Sequence, residues 1–313
     1  MAPCIVCLMG PTASGKTDLA LELIKHFPFE IISVDSAMIY RGMNIGTAKP
    51  DASTLCIAPH HLIDICDPNE SYSAAKFKMD AENIIKEILA KGKIPLLVGG
   101  TMLYFRTLQQ GIAVLPEGNA ILRKELFSQG KTLGWETMHA RLSEVDPDAA
   151  SRIHPHDRQR IQRALEVFLL TGKNLTAFLK EQNQTILDYK VYNIILEPLD
   201  RALLHERIAI RFKTMLEKGL VDEVRDLKTH FDLNSDMPAM RSVGYRQVLI
   251  YLEGKYTWDE MCERGIIATR QLAKRQLTWL RSWPQGERFV SEDINLTREV
   301  IHFLKNSVMP ACS

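Results

Sequence analysis

The chain has 313 residues, of which 46% are hydrophobic and 25% are charged. This composition is typical of a folded globular protein, and it excludes a disordered or a fibrous chain. Lysine and arginine number 39 against 38 aspartate and glutamate residues, so the formal net charge is +1. A polyanionic partner would therefore have to bind a local basic patch.

The longest apolar runs are the length of a strand, and the N-terminus has no basic leader. We therefore expect a cytoplasmic protein that has no membrane partner and no obligate protein partner. The cysteines are scattered along the chain, which favours buried or free thiols over disulfides or a structural zinc site. They are Cys4, Cys7, Cys56, Cys66, Cys262 and Cys312.

The first part of the chain alternates short β-branched runs with helical patterns. Residues 4–9, 30–35 and 94–98 read as strands, and residues 61–66 as a possible further strand; residues 16–26 and 72–91 read as helices. This alternation indicates a parallel sheet covered by helices.

Strand signals stop after Pro116 and resume at residue 191. Helices are predicted over residues 120–129, 135–144 and 157–170, then a strand over 191–196, then helices over 202–216, 221–230, 243–252 and 257–283. The predicted fold class is α/β: a parallel sheet of the P-loop NTPase type, flanked by helices, with an inserted all-helical domain. The core would comprise residues 1–115 and 191–313, and the insertion residues 116–190.

A phosphate-binding loop follows the first predicted strand and precedes the first predicted helix. It fits the pattern G-x-x-x-x-G-K-[ST] and consists of Gly10, Pro11, Thr12, Ala13, Ser14, Gly15, Lys16 and Thr17. Its N–H groups can converge on phosphate oxygens at the start of the helix. Lys16 supplies a positive charge, and the Thr17 hydroxyl is placed to ligate a Mg²⁺ that bridges the phosphates.

The loop predicts that a diphosphate or a triphosphate binds here, but the motif does not distinguish between the two. Hydrolysing P-loop proteins usually carry an acid at the end of a later strand, where it helps to hold Mg²⁺. Here the strand 94–98 is followed by Gly99, Gly100 and Thr101. The missing acid favours transfer of a group from a phosphorylated donor.

Asp35 ends the second predicted strand, at the edge where open parallel sheets bind ligands. Its carboxylate could accept a proton from an attacking nucleophile. It could equally be the N-cap of a following helix. The residues themselves leave both interpretations open.

The chain closely resembles the bacterial tRNA dimethylallyltransferase family, also called tRNA isopentenyltransferases. The resemblance spans nearly the whole chain and lies in the phosphate loop and in residues 33–40, 46–50, 97–104, 160–166, 240–247 and 268–281. It implies transfer of a dimethylallyl group from dimethylallyl diphosphate to N6 of the adenosine that is 3′-adjacent to the anticodon, with release of diphosphate.

The same resemblance implies roles for individual residues. Asp35 would be the base on the N6 amine, and Thr101 a polar contact near the reacting centre. Lys16, Thr17, Arg211 and Mg²⁺ would hold the diphosphate. Contacts to the tRNA anticodon stem-loop are implied for Asp35, Ser36, Ala37, Met38, Thr101, Arg123, Gln159, Arg160, Ile161, Gln162 and Arg163. We add Arg241 and Arg246 from the matching run 240–247.

Two basic runs offer a surface for RNA. Residues 270–281 contain Lys274, Arg275 and Arg281 without any acid, and residues 152–163 are also rich in arginine. Taken alone, each run is more often a solvated helix face. Beside a centre that modifies adenosine, the two basic runs predict contacts with the backbone of the stem-loop. We also expect the target base to leave its stack and to enter a cleft between the core and the insertion.

Two other hypotheses share some of these features. A small-molecule P-loop kinase would have the same loop and sheet, but it would consume a nucleoside triphosphate and would not need the basic helix. A nucleotide-gated RNA-binding protein would need no catalytic Asp35.

Overall fold

The computed structural model describes residues 3–113, 115–181, 188–235 and 237–312. The chain forms two compact units. Unit 1 comprises Met1–Gln109 and Leu187–Ser313, and unit 2 comprises Gln110–Ile186. Unit 2 is thus inserted between two segments of unit 1.

Unit 1 is built on a sheet of six parallel strands. They are β1 (Cys4–Met9), β2 (Phe29–Val34), β3 (His60–His61), β4 (Ile94–Gly99), β5 (Lys190–Glu197) and β6 (Glu287–Val290). Their order across the sheet is β3-β2-β4-β1-β5-β6. Because β2, β4 and β1 are neighbours and parallel, the segments that follow them emerge at one edge of the sheet.

Helices flank this sheet and make up unit 2. Those of unit 1 are α1 (Lys16–His26), α2 (Ala52–Ile57), α3 (Ala74–Ala90), α4 (Met102–Gln110), α10 (Arg201–Glu217), α11 (Leu220–Phe231), α12 (Tyr245–Leu252), α13 (Trp258–Arg281), α14 (Leu296–Phe303) and α15 (Met309–Cys312). Those of unit 2 are α5 (Ala120–Leu133), α6 (Trp135–Val145), α7 (Pro147–Arg152), α8 (Arg158–Thr171) and α9 (Leu175–Lys180). No helix in the described part of the chain has both the length and the apolar character needed to cross a membrane.

The central strand β1 is buried along its whole length, and its side chains alternate between two apolar clusters. Ile5, Cys7 and Met9 pack with residues of α3. Val6 and Leu8 pack with residues of α1 and α14. The burial of both faces anchors β1, and this fixes the position of the phosphate loop that follows it.

The predicted strand over residues 61–66 is largely wrong. β3 covers only His60–His61, and Cys66 forms an isolated bridge with Tyr40. Leu62 and Asp64 adopt φ values of 62° and 53°, which lie in the left-handed region. A strand cannot continue through such residues, because it requires an extended backbone.

The prediction of free or buried thiols holds for Cys7, Cys56, Cys66 and Cys262, which are free cysteines. It is wrong for Cys4, which is disulfide-bonded. Sequence spacing could not reveal this bond, because spacing does not show which cysteines the fold brings within bonding distance.

Candidate active site

The phosphate loop connects β1 to α1 at the edge of the sheet. Ala13 and Gly15 have φ values of 63° and 78°, so the chain turns through two left-handed residues before the helix begins. The N–H groups of Gly15, Lys16 and Thr17 have no backbone acceptor among the described residues. Free N–H groups at a helix N-terminus, after left-handed turns, form a concave site for an anion.

Lys16 folds back across this loop. Its ammonium group donates to the carbonyl oxygen of Pro11 at 2.6 Å and lies 3.4 Å from Ser14 Oγ. Burial, together with the nearby Arg211 guanidinium, lowers the pKa of Lys16 to about 7, whereas Asp35 acts in the opposite direction. Lys16, Arg211 and Asp35 are therefore close enough to influence one another electrostatically.

Arg211 reaches the same region from α10. Burial lowers its pKa, while the carboxylates of Asp35 and Asp18 raise it. Arg211 nevertheless remains positively charged, because a guanidinium group is not deprotonated in proteins. Its Nη2 lies 3.4 Å from the carbonyl oxygen of Thr47, to which it donates a hydrogen bond. The structure thus brings the predicted diphosphate contact Arg211 to the phosphate loop, although 195 positions separate it from Lys16 along the sequence.

Glu223 holds the segment that carries Thr47, and the sequence pattern did not identify it. Its Oε2 accepts from the N–H groups of Asn44 and Ile45 at 3.0 and 2.7 Å. Its Oε1 accepts from the Tyr245 hydroxyl at 2.6 Å and from the Gly46 N–H at 3.3 Å. Burial and the neighbouring carboxylate raise the pKa of Tyr245. Glu223 therefore fixes the segment against which Arg211 rests.

Asp35 lies directly after β2, half-buried. Its Oδ1 accepts from the N–H groups of Ala37 and Met38 at 2.8 and 3.3 Å. The segment that follows forms a turn, so Asp35 is not the N-cap of a helix. Oδ2 makes no hydrogen bond within the described part of the chain, so this oxygen is available to accept a proton.

Thr101 follows β4 and meets the residue after Asp35. Its Oγ1 accepts a hydrogen bond from the Ser36 N–H at 3.0 Å and lies 3.3 Å from Ser36 Oγ. The Thr101 N–H donates to the carbonyl oxygen of Val34. Because β2 and β4 are paired in register, the predicted residues Asp35, Ser36 and Thr101 meet at one edge.

Unit 2 contains several predicted tRNA contacts around a buried carboxylate that the sequence pattern also did not reveal. Glu166 accepts from Arg123 Nε at 2.8 Å and from Arg163 Nη1 at 2.6 Å. Burial alone would raise the pKa of Glu166, but these hydrogen bonds and one from the Asn119 N–H hold it below its ordinary value. Glu166 thereby positions both arginines.

The other predicted contacts in α8 differ in exposure. Gln159 and Arg160 are exposed, and Gln162 donates to the carbonyl oxygen of Arg123. The side chain of Ile161 is fully buried in the core of unit 2. Ile161 therefore offers no side-chain surface to a ligand.

The basic residues predicted on α13 lie on its solvent side. Lys274, Arg275 and Arg281 are exposed, while Ala273, Leu277 and Leu280 of the same helix are buried. Arg241 and Arg246 are exposed as well. These five side chains can meet a polyanion.

The oxygen atoms near the loop decide whether it can hold Mg²⁺, which prefers oxygen ligands. The Thr17 hydroxyl has no hydrogen-bond partner among the residues that the structure describes, so it remains available as a ligand. No group of three or more acidic, histidine or cysteine side chains suited to a metal occurs in that part of the chain. This donor set fits a Mg²⁺ held mainly by phosphate oxygens and the Thr17 hydroxyl.

Together, a parallel sheet and an anion-binding loop at its carboxyl edge define a P-loop protein. The carboxylate of Asp35 and the Arg211 guanidinium lie beside the loop, and no acid directly follows β4. This arrangement is that of a group-transfer enzyme in the P-loop class.

Comparison with known proteins identifies the family. Residues 38–283 match the IPP transferase family. The tRNA dimethylallyltransferase of Nitrosomonas eutropha is 54% identical over 304 residues, which cover 97% of this chain and 96% of the relative. The chain therefore belongs to the IPP transferase family.

Two solved structures are similar over most of the chain. The tRNA isopentenylpyrophosphate transferase of Bacillus halodurans has a TM-score of 0.69 and 35% identity, covering 96% of this chain and 95% of that one. A eukaryotic dimethylallyltransferase acting on tRNA has a TM-score of 0.78 and 26% identity, covering 99% of this chain and 77% of that one.

Proposed function

We propose that this protein is a tRNA dimethylallyltransferase. It transfers a dimethylallyl group from dimethylallyl diphosphate to N6 of the adenosine that is 3′-adjacent to the anticodon, and it releases diphosphate. The observation that carries this proposal is the placement of a carboxylate, Asp35, beside an anion-binding loop in a member of the IPP transferase family.

The acceptor side of the reaction centres on Asp35. The N6 lone pair of adenine is delocalised into the ring, so the amine is a weak nucleophile. As N6 attacks C1 of the dimethylallyl group, Asp35 Oδ2 accepts an N6 proton. General-base assistance of this kind typically contributes about 10²–10⁴ in rate. Thr101 accepts a hydrogen bond from the Ser36 N–H and thereby orients residues 35–38, which contact the target adenine.

The leaving-group side centres on the phosphate loop. The C1–O bond breaks while the N–C1 bond forms, and negative charge accumulates on the departing diphosphate. The free N–H groups at the start of α1, the Lys16 ammonium and the Arg211 guanidinium stabilise this charge. The loop thus holds the diphosphate as a leaving group.

Thr17 would hold Mg²⁺ together with the diphosphate oxygens. When bound, the metal supplies a positive charge that neutralises part of the anion. Lys16 and Arg211 act on the same anion from the protein.

The exposed basic residues of α13 would contact the phosphate backbone of the anticodon stem-loop. In unit 2, Arg123, Gln159, Arg160 and Arg163 would contribute further contacts. Such contacts position the RNA without reading its sequence. The target adenosine must leave its stack to reach Asp35, as in other enzymes that act on a base.

The proposal is tested by incubating the protein with unmodified tRNA, Mg²⁺ and labelled dimethylallyl diphosphate. A parallel reaction contains ATP labelled in its γ-phosphate. We expect label from the first donor to enter tRNA and ATP to remain intact. ATP consumption with unlabelled tRNA would instead support a kinase and would refute the proposal.

A further inference from the structure

Gln276 of α13 bridges the segments that follow two neighbouring strands. Its side chain is only 9% exposed. Oε1 accepts a hydrogen bond from the Thr12 N–H at 2.8 Å, and Nε2 donates to the carbonyl oxygen of Gly100 at 2.9 Å. Thr12 lies in the phosphate loop after β1, and Gly100 lies in the turn after β4, so one amide joins the two segments.

The amide fixes a separation that the sheet alone leaves open. β1 and β4 pair in register, with Met9 beside Gly99, but the pairing ends where the strands end. Beyond that point the Gln276 amide connects the two segments directly. A backbone N–H can only donate and a carbonyl can only accept, so its two partners also determine which way the amide faces.

Apolar contacts hold the next residue of the phosphate loop to the same helix. Ala13 has a left-handed backbone, with a φ of 63°. It packs against buried side chains of α10 and α13, which are Leu204, Ile208, Ala273 and Leu277. Two adjacent residues of the loop therefore rest on α13, one through a hydrogen bond and the other through packing.

Gly100 is adapted to its contact with Gln276. A Cβ atom at position 100 would lie 2.4 Å from Nε2 of Gln276, which is too close for any real contact, and 3.4 Å from the carbonyl oxygen of Gly10, which is an ordinary contact. Gly100 does not have a left-handed φ, so its backbone torsions do not require glycine. The missing side chain thus makes room for the amide.

We propose that Gln276 is a positioning residue for the transfer reaction. It holds the phosphate loop, which binds the leaving diphosphate, against the turn that leads to Thr101 and so to the segment that carries Asp35. Attack of N6 on C1 requires the reacting atoms to approach within about 3–3.5 Å, and a small displacement of either side slows the step. This role rests on the proposed function, because it concerns the donor and the acceptor of that reaction.

The bridge does not use the groups that bind the anion. The N–H groups of residues 13–17 have no backbone acceptor within the described residues, whereas the Thr12 N–H is bonded to Gln276. Loss of the bridge leaves residues 13–17 with the same donors. It should therefore reduce the rate of transfer far more than the affinity for diphosphate.

The first test uses Gln276→Met, which keeps the length of the side chain and removes both hydrogen bonds. The rate of a single turnover is measured with labelled dimethylallyl diphosphate and saturating tRNA, and the affinity for inorganic pyrophosphate is measured by calorimetry. We expect the rate to fall by about tenfold to a hundredfold, while the dissociation constant of pyrophosphate changes by less than about threefold.

Gln271→Met, at an exposed position of the same helix, is the matched control and should keep both wild-type values. A folded Gln276→Met protein with the wild-type rate would overturn the proposal. So would a variant that loses only affinity for pyrophosphate, because Gln276 would then support binding and not alignment.

The second test displaces the amide from its other end. In Gly100→Ala the new Cβ meets the far end of a flexible side chain, so the Gln276 amide has to move away. We expect a loss of rate similar to that of Gln276→Met. In the Gln276→Ala background the obstructing atoms are absent, so adding Gly100→Ala should lower the rate by less than about twofold more.

Additive losses in this double-mutant cycle would contradict the bridge. Thermal unfolding shows whether each variant is folded. If Gln276→Ala is not folded, Gln276→Met and Gly100→Ala decide the matter, since both must slow transfer and spare pyrophosphate affinity.

The wild-type reaction distinguishes the two proposals. If wild-type protein transfers no label to tRNA, the proposed function fails and this role of Gln276 fails with it. If wild-type protein transfers label and Gln276→Met does so at the same rate, only the role of Gln276 fails.

Discussion

The hydroxyl oxygen of Thr101 accepts a hydrogen bond from the backbone N–H of Ser36 at 3.0 Å. This bond links the segment after β4 to the residue next to Asp35. Because β2 and β4 are neighbouring parallel strands, the link fixes the distance between the candidate base and the glycine turn after β4.

Thr101→Ala removes this link. We expect turnover to fall by about fivefold to tenfold, since a hydrogen bond of this kind contributes about 1 kcal/mol. Thr101→Ser, which keeps the hydroxyl, should retain most of the activity. The measurement is kcat for transfer to tRNA. If the serine variant loses as much as the alanine variant, the hydroxyl is not responsible.

Asp35→Asn removes the base but keeps an oxygen that can accept from the Ala37 and Met38 N–H groups. We expect turnover to fall by about 10²–10⁴, while tRNA affinity changes far less. Asp226→Asn, at an exposed position of α11, is the control. Single-turnover kinetics and a tRNA binding isotherm distinguish the two effects. Undiminished turnover would remove Asp35 from the role of base.

The pKa of Lys16, about 7, predicts a pH dependence of diphosphate binding. Below this pH the free protein carries a charged Lys16; above it the side chain is neutral. A bound anion favours the charged form, so binding above pH 7 takes up a proton. Affinity should then decline with rising pH, by up to about tenfold per unit.

Calorimetric titration with inorganic pyrophosphate, in two buffers of different protonation enthalpy, measures this proton uptake. In the Lys16→Arg variant the side chain at position 16 stays charged, so this side chain should take up no proton when pyrophosphate binds. The titration of pyrophosphate itself is common to both proteins and cancels in the difference. Identical uptake by both proteins would show that Lys16 does not titrate in this range.

Glu223→Gln tests the support of Arg211. The substitution replaces one acceptor oxygen with an NH₂ group, which faces N–H groups and the Tyr245 hydroxyl. We expect a loss of about 1–3 kcal/mol in the free energy of unfolding and a higher KM for dimethylallyl diphosphate. The control Asp222→Asn alters an exposed ion pair with Arg225, and it should change neither the free energy of unfolding nor KM. Thermal unfolding and steady-state kinetics provide the comparison.

Charge reversal at Lys274 and Arg281 tests the basic face of α13. We expect weaker tRNA binding and a flatter plot of log affinity against log salt, by about 0.7–0.9 for each phosphate that the protein no longer neutralises. Lys305→Glu, an exposed change outside α13, is the control. If the slope of log affinity against log salt does not change, Lys274 and Arg281 face solvent and do not contact tRNA.

Most of the fold could be predicted because the signals are local. β1, the phosphate loop and α1 lie within residues 4–26, and their apolar pattern and glycines are sufficient to identify them. The strand over residues 61–66 was overpredicted, because nothing in the sequence marks Leu62 and Asp64 as left-handed. β6 was missed, since it is short and lacks an alternating pattern of burial.

The candidate site divides in the same way. Lys16 and Asp35 were identified because each follows a recognisable strand. Gln276, Glu223 and Glu166 were not. Gln276 and Glu223 bind mainly backbone atoms that are distant in sequence. Glu166 binds two arginine side chains and one backbone N–H, and its burial is not apparent from the sequence. Thr12 and Gln276, for example, are 264 positions apart. Because almost every residue has a backbone N–H and a carbonyl group, such a hydrogen bond does not restrict the type of residue that contributes the main-chain atom.

In the proposed reaction, Asp35 and the phosphate loop act together on one adenosine of tRNA. The most direct measurement is nucleoside analysis of two anticodon stem-loops incubated with labelled dimethylallyl diphosphate. One has adenosine immediately 3′ of the anticodon, and the other has a purine nucleoside without the N6 amine at that position. We expect labelled N6-modified adenosine from the first stem-loop and no label in the second. Equal labelling of both, or label at any other nucleotide, would contradict it.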